Sequence, residues 1–168
     1  LDDGTDLDNG TVLFMQGTVY GEDGKPLPNA KVEVWHANSL GNYSFFDESQ
    51  SHFNLRRSII TDENGNYAFR SIVPLGYSVP PEGMTQKVLG ALGRHGHRPA
   101  HIHFFASADG HRKLTTQINI DGDEYLWDDF AFASREGLVP EVTMVEDADK
   151  LKEKALDKPY ASIDFDFH

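Results

Sequence analysis

The sequence contains no cysteine among its 168 residues. Disulfides, thiolate nucleophiles and thiolate metal ligands are therefore excluded, and His, Asp, Glu and Tyr are left as candidate metal ligands. Positive charge is also scarce, because 15 Lys and Arg residues stand against 27 Asp and Glu, a formal net charge of −12. Nucleic acid and anionic lipid surfaces are both polyanions, so we do not expect either as a partner.

Long apolar runs are absent as well. No stretch approaches the length of a membrane span, and the N-terminus shows no basic and apolar signal pattern. These absences favour a soluble, cytoplasmic protein. The chain opens with LDDGTDLDNG and has no initiator methionine, so we expect it to be the C-terminal part of a longer chain.

Alternating apolar and polar residues predict an all-β protein. Asp-Gly and Asn-Gly turn sequences, as in YGEDGKPLPNA and DENGN, separate the alternating stretches. Short strands joined by such turns are typical of an antiparallel β-sandwich core. The predicted strands are TVLFMQGTV (11–19), KVEVWHA (31–37), RSIIT (57–61), YAFRSI (67–72), PAHIHFFAS (99–107), KLTTQINI (113–120) and ASIDFDF (161–167).

Helix and loop signals complete the predicted architecture, a single β-sandwich domain over residues 1–168. Only residues 85–93 and 146–158 show a helical pattern, so we expect one or two short peripheral helices. Two long irregular segments, residues 38–57 and 73–84, lie between predicted strands. Structureless loops of that length are usually functional, and these are the expected active-site loops.

Two histidines stand at alternate positions in AHIHFF. Side chains at i and i+2 of a strand point to the same face, so His101 and His103 project together while Ile102 points away. Two imidazoles on one face make half of a metal site. Spacing alone leaves open that the alternation is accidental. His95 and His97 repeat the spacing in a glycine-bearing turn, which imposes no shared face, and we expect these two and His36, His52 and His111 to be structural or surface residues.

Each long loop, which a strand scaffold could bring to its end, also contains a tyrosine within two residues of a glycine: Tyr43 in LGNYSFF and Tyr77 in PLGYSVPP. Both could be ordinary loop aromatics. A phenol has a pKa of ~10, so its use as a metal ligand at neutral pH requires a strong Lewis acid. Trivalent iron is such an acid.

A family resemblance joins these features. The chain contains, in order, VEVWHANSLGNYSFFD, FNLRRSIITDENGNY, PLGYSVPPEG, LGRHGHRPAHIHFF and HRKLTTQINIDGDEYLWDDFAFA. From about residue 11 to residue 167 it resembles the catalytic half of the intradiol ring-cleavage dioxygenases. The resemblance implies one non-haem Fe(III) per chain, bound by Tyr43, Tyr77, His101 and His103. It also implies a small aromatic diol, catechol, that O2 cleaves to cis,cis-muconate in aromatic hydrocarbon catabolism.

The resemblance also implies roles for residues around the metal. Tyr77 would leave the metal and accept a substrate proton, and Arg98 would support negative charge on the substrate. Gln117 would lie within reach of the metal-bound oxygens. The positions that match the family's substrate-lining residues are Gly76, Pro80, Phe130 and Ala131.

The resemblance has one gap and leaves alternatives open. Nothing in the sequence is similar to the helical N-terminal segment through which full-length family members dimerise, so we expect a homodimer for the longer form. A related enzyme for chlorocatechol, hydroxyquinol or protocatechuate would differ only in its pocket lining. GTVYGEDGKPLPNAKVEVW is also similar to non-enzymatic transthyretin-like sandwich modules, which need neither the tyrosines nor the histidine pair.

Overall fold

The computed structural model of the chain describes residues 1–6 and 10–168. Strands form most of its regular structure, with two short α-helices. The helices are α1 (Met84–Ala91) and α2 (Ala148–Glu153). In chain order the strands are β1 (Val12–Thr18), β2 (Lys31–His36), β3 (Arg56–Ile60), β4 (Asn66–Ile72), β5 (Tyr77–Ser78), β6 (His97–Arg98), β7 (His101–Ser107), β8 (Leu114–Asn119), β9 (Thr143–Val145) and β10 (Tyr160–Asp164).

The strands form two four-stranded sheets and a small ribbon. One sheet has the order β4-β1-β10-β9, the other has the order β3-β2-β7-β8, and β5 pairs with β6. The predicted β-sandwich is confirmed. One pairing differs from the antiparallel prediction, because β1 and β10 run parallel. Alternation of apolar residues reports which face a strand buries and not the direction of its neighbour, so the sequence could not show this.

The core lies between the two four-stranded sheets, which supply alternate residues to it. From the first sheet, Leu13, Met15 and Ile163 are at most 1 % exposed. From the second sheet, Ile102 and Phe104 are fully buried. Because Ile102 and Phe104 point into the core, the side chains between and beside them, including those of His101 and His103, are on the opposite face of β7.

The helices are shorter than predicted or displaced. Helix α1 begins and ends slightly before the predicted range, and α2 covers only the first part of residues 146–158. The Asp147 carboxylate caps α2 by accepting hydrogen bonds from the N–H groups of Asp149 and Lys150. The helix ends early because Ala155 has a φ of 52°, which is incompatible with a continued right-handed helix. Within residues 1–6 and 10–168, no helix has the length and apolarity to cross a membrane.

One buried histidine links the two sheets. His36, on the core face of β2, has its Nδ1 atom 2.6 Å from the Ala37 carbonyl oxygen. A carbonyl only accepts, so Nδ1 carries the proton, and Nε2 accepts from the Ser71 hydroxyl of β4 at 2.7 Å. Burial lowers the pKa of His36 to about 4. The imidazole is therefore neutral in the folded protein at neutral pH, in line with its predicted structural role.

Because His36 is buried in its neutral form, we expect the protein to lose stability in acid. His36 stays neutral in the fold but binds a proton near pH 6.5 when unfolded, so its contribution is complete above that pH and falls progressively towards pH 4. The shift corresponds to at most about 3 kcal/mol in the free energy of unfolding. Urea unfolding of wild type and His36→Gln should show a stability difference that shrinks over this range. A difference that is independent of pH would contradict the assignment.

Candidate active site

The outer face of the second sheet presents a row of side chains that crosses all four strands. Trp35 pairs with Arg56 on one side and with His103 on the other. His103 in turn pairs with Gln117. The Trp35 and His103 rings stack, with centroids 4.8 Å apart and planes 10° apart. The orientation of His103 is therefore fixed by a rigid aromatic neighbour as well as by its strand.

The predicted histidine pair lies at the centre of the site. The Nε2 atoms of His101 and His103 are 3.0 Å apart. His101 Nδ1 is 2.6 Å from the Pro99 carbonyl oxygen, so Nδ1 is the protonated nitrogen and Nε2 carries the lone pair. A backbone carbonyl that holds the far N–H in this way is the usual outer contact of a metal-bound imidazole.

Both predicted tyrosines reach the same place from separate loops. The Tyr43 hydroxyl is 3.3 Å from His101 Nε2. The Tyr77 ring meets the Tyr43 ring edge-on with centroids 5.5 Å apart, and its centroid is 5.7 Å from that of His101. The structure therefore brings Tyr43, Tyr77, His101 and His103 together, although they span 61 positions of sequence.

Asn38 holds the two tyrosine loops in place. Its side-chain oxygen accepts hydrogen bonds from the N–H groups of Leu40 and Asn42 at 3.0 and 2.8 Å. Its backbone oxygen accepts from the N–H of Leu75, in the other loop, at 3.1 Å. Asn38 is only 4 % exposed, so water does not compete strongly for these bonds. The same residue thus shapes the turn before Tyr43 and ties it to the segment before Tyr77.

The two loops also touch at a pair of glycines. Gly41 has a φ of +81°, and a Cβ atom added there would lie 2.5 Å from the Gly76 carbonyl oxygen. A left-handed backbone and a backbone contact at this distance both require glycine. Gly76 is itself packed closely, because a Cβ there would lie 2.6 Å from the Arg98 carbonyl oxygen.

Gly41→Ala is therefore expected to push the two tyrosine loops apart. We expect a stability loss of about 1–3 kcal/mol from the strained φ and, because the predicted tyrosine ligands would be displaced, at least a roughly tenfold weaker apparent affinity for the predicted Fe(III). Gly24→Ala is the matched control, because Gly24 has a φ of +74° with nothing within 4 Å of the added atom. Gly24→Ala should show a similar loss of stability but bind the metal with wild-type affinity. Equal affinities in the two variants would contradict this account.

Burial sets the protonation of the cluster. Burial, followed by the charge of Arg98, lowers the pKa of His101 to about 4. Burial and then His101 lower the pKa of His103 to about 3. Burial and then Tyr77 raise the pKa of Tyr43. At neutral pH both imidazoles are therefore neutral and able to donate a lone pair, while the Tyr43 phenol keeps its proton unless a cation displaces it.

This donor set fits a trivalent metal. Across the described residues, no group of three or more His, Cys, Asp or Glu side chains is placed to hold a metal ion, so a metal here depends on the tyrosines. The two neutral imidazoles and the Tyr43 hydroxyl are at contact distance, the Tyr77 ring packs edge-on against the Tyr43 ring, and phenolate oxygen is a hard donor. A cation that binds here must displace at least the Tyr43 proton, which suits a strong Lewis acid.

Arg98 and Gln117 lie beside the cluster. Arg98 is 7 % exposed, and its Nη1 donates to His101 Nε2 at 3.2 Å. Its Nη2 donates to Gln117 Oε1 at 2.9 Å. The Gln117 amide nitrogen donates to Asn119 at 3.3 Å. Gln117 thus contacts Arg98 directly, and its amide is engaged on both sides.

A cavity of about 650 Å³ opens over the cluster. Pro80, Tyr77, Tyr43 and His103 line it, as do Trp35, Gly41, Asn42, Phe45, Phe46, Asp47, Arg56 and Ser78. Of the predicted substrate-lining residues, only Pro80 is in this set. Gly76 lines a neighbouring cavity of about 560 Å³, which Tyr77 also borders. Phe130 and Ala131 lie in the turn that follows Asp129. This turn is linked to the site by the hydrogen bonds that Arg98 donates to Asp129.

Sequence reasoning missed three residues of the site: Trp35, Arg56 and Asp129. Trp35 and Arg56 are placed by strand pairing, and alternation does not show which strands pair. Asp129 accepts two hydrogen bonds from Arg98, at 3.1 Å each. It stands in DDFAFA, immediately before Phe130, so the motif contained a signal, but nothing in the sequence links it to Arg98.

Comparison with known proteins places these features in a family. A family model described as Dioxygenase matches residues 1–167. The chain is 73 % identical over 146 residues to catechol 1,2-dioxygenase 2 of Acinetobacter lwoffii, covering 87 % of this chain and 52 % of that protein. It is 59 % identical over 168 residues to catechol 1,2-dioxygenase of Acinetobacter baylyi, covering 99 % of this chain and 54 % of that protein.

Solved structures agree with these relatives. The chain superposes on catechol 1,2-dioxygenase from Acinetobacter sp. ADP1, inhibited by bound mercury, with a TM-score of 0.94 at 59 % identity, covering 99 % of this chain and 54 % of that one. The enzyme from Pseudomonas arvilla C-1 gives a TM-score of 0.93 at 57 % identity, covering 99 % and 53 %. The chain spans about half the length of the curated relatives it matches.

Proposed function

The chain belongs to the intradiol ring-cleavage dioxygenase family, and on that premise we propose that it is the part of an enzyme that cleaves catechol with O2 to cis,cis-muconate. The convergence of Tyr43, Tyr77, His101 and His103 carries this proposal, because these residues would hold a mononuclear, non-haem Fe(III). Catechol is the favoured diol, because relatives at 73 and 59 % identity are named for it, while a chlorocatechol enzyme is 39 % identical.

The metal and the protein have separate tasks in this proposal. When bound, ferric iron supplies Lewis acidity that favours the doubly deprotonated diol and draws electron density from its ring, which makes the ring reactive towards O2. His101 and His103 keep their Nε2 atoms 3.0 Å apart, because the Pro99 carbonyl oxygen and the Trp35 ring fix the two imidazoles. The cavity beside them is walled by Trp35, Phe45 and Phe46, which suits a flat aromatic substrate.

Tyr77 is the proposed acceptor of a substrate proton. Catechol must lose both hydroxyl protons to bind as a dianion. Tyr77 lies on the two-residue strand β5, held by pairing with β6, and it borders the cavity. We assign its Oη atom, which would be deprotonated when the metal is held, as the acceptor of one of these protons, and the other would pass to solvent hydroxide. Tyr43 contacts His101, and in this proposal it would remain a metal ligand together with the two histidines.

Arg98 places positive charge where the substrate becomes negative. Its guanidinium stays protonated at all relevant pH values, and the pairing with Asp129 raises its pKa although burial opposes this. Nη1 points at the centre of the cluster, 3.2 Å from His101 Nε2. An N–H fixed in this position can stabilise charge on the ring or on the diol oxygens without reorganising.

Stoichiometry and isotope labelling test the proposal. The iron-loaded chain, given catechol and ¹⁸O2, should consume equal amounts of both and place both oxygen atoms in cis,cis-muconate. Parallel assays with chlorocatechol, hydroxyquinol and protocatechuate should give lower kcat/KM values. Absence of ring cleavage by an iron-loaded chain would contradict the proposal. A higher kcat/KM for another diol would identify that diol as the substrate in place of catechol. Homodimerisation of the longer form and a cytoplasmic location stay predictions.

A further inference from the structure

A buried carboxylate behind the cluster binds Arg98 on one side and a turn of the backbone on the other. Asp129 is 5 % exposed. Its Oδ1 accepts from Arg98 Nε at 3.1 Å, and its Oδ2 accepts from Arg98 Nη2 at 3.1 Å. The same two oxygens accept from the N–H groups of Ala131 at 3.0 Å and Ala133 at 3.2 Å. Four donors therefore converge on one carboxylate, which satisfies both of its oxygens.

The bidentate pair fixes the direction of the guanidinium. With Nε and Nη2 held by Asp129, and Nη2 also bound to Gln117, Nη1 is the nitrogen left to face the cluster. A planar fork bound along one edge cannot rotate without breaking both bonds. Hydrogen bonds from Arg98 and the two amides hold the pKa of Asp129 below its usual value, although burial alone would raise it. The carboxylate is therefore charged at neutral pH.

Asp129 also accepts hydrogen bonds from the backbone of the turn at residues 129–133. This turn contains Phe130 and Ala131, which the family resemblance assigns to the substrate wall, and Phe132 in it has a φ of 53°. The two N–H groups that Asp129 accepts from lie in this turn. A shift of the carboxylate would therefore move the guanidinium and the turn together.

We propose that Asp129 is a positioning residue, which acts through Arg98 by aiming Nη1 at the diol site, while the N–H groups of Ala131 and Ala133 hold the carboxylate itself in place. This inference rests on the proposed function. Asp129 itself does not face the cavity and does not touch substrate. Its effect should appear in turnover, because Arg98 acts on charge that develops during the reaction.

Asp129→Asn is the first test. The asparagine NH2 group would face two of the four donors, so Arg98 would lose its alignment. We expect kcat per bound iron to fall roughly 10- to 100-fold, as misplacement of a charged group does, with iron content unchanged. The matched control is Asp128→Asn, the exposed neighbour that contacts His95 at 3.1 Å, which should keep the wild-type kcat.

A double-mutant cycle separates positioning from a merely structural role. In an Arg98→Met background, Asp129→Asn should lower kcat by no more than about twofold, because its target is gone. Fully multiplicative losses would overturn the inference. If Asp129→Asn fails to fold, Asp129→Glu keeps the charge and the pair but displaces the guanidinium by one methylene. Reduced kcat in that variant supports the inference, and wild-type kcat overturns it.

A second measurement does not depend on activity. In NMR spectra of the chain without added iron, the Arg98 Nε–H should exchange slowly with solvent in wild type and in Asp128→Asn, and quickly in Asp129→Asn. Fast exchange in wild type would overturn the inference whether or not the chain cleaves catechol. An iron-loaded wild type that cleaves no diol would instead overturn the proposed function, so the two failures are distinguishable.

Discussion

His101→Ala is expected to leave the chain unable to hold Fe(III). His101 Nε2 contacts His103 at 3.0 Å, Tyr43 at 3.3 Å and Arg98 at 3.2 Å, so it is the point on which the cluster converges. Loss of an outer partner of a metal ligand costs roughly 10- to 100-fold in affinity, and loss of the ligand itself should exceed this. Metal analysis after reconstitution with iron and gel filtration measures the effect, and catechol turnover should vanish with the metal.

The control for this variant is His111→Ala. His111 is exposed and lies outside the cluster, so this variant should retain wild-type iron content and activity. Urea unfolding in the absence of iron shows whether His101→Ala is still folded. A folded His101→Ala protein with a full complement of iron would contradict the proposed ligand set.

Tyr77→Phe is expected to separate metal binding from turnover. The other three proposed ligands remain, so we expect the protein to keep most of its iron. Removal of Oη takes away the proposed proton acceptor, and loss of a general base typically costs about 10²- to 10⁴-fold in rate. The measurement is kcat per bound iron at saturating catechol. Both the intensity and the position of the visible absorption should also change, because one phenolate is gone.

Tyr20→Phe is the corresponding control, since Tyr20 borders a cavity at another part of the sandwich, formed with Leu114 and Phe167. It should change neither turnover nor colour. If iron-loaded Tyr77→Phe retained turnover within about tenfold of wild type, which is less than a typical general-base effect, the role of Tyr77 as a proton acceptor would be wrong.

The fold was largely accessible from sequence because its strands have one buried face. The alternation in KVEVWHA and PAHIHFFAS predicts that Val34 and Ile102 are buried, and they are 2 % and 0 % exposed. The parallel pairing of β1 and β10 was not accessible, because it joins segments from opposite ends of the chain. The early end of α2 was missed because alanine has the highest helix propensity, yet Ala155 has a left-handed φ of 52° that ends the helix.

The site was accessible in part. Spacing on β7 predicts that His101 and His103 share a face. That Tyr43 and Tyr77 join them in one site was predicted only from the family resemblance. Residue patterns could not give it, because loop conformation depends on long-range contacts such as the Gly41–Gly76 crossing. Trp35 and Asp129 were missed for the same reason. Their partners, His103 and Arg98, are distant in sequence and become neighbours only through strand pairing and the turn at residues 129–133.

The visible absorption spectrum of the iron-reconstituted chain, before and after anaerobic addition of catechol, tests the central claim most directly. Iron should be measured on the same sample. We expect one iron per chain, a broad tyrosinate-to-Fe(III) charge-transfer band, and a shift of this band to longer wavelength when catechol binds. A chain that takes up iron without such a band, or that stays colourless after reconstitution, would contradict a ferric site built from Tyr43, Tyr77, His101 and His103.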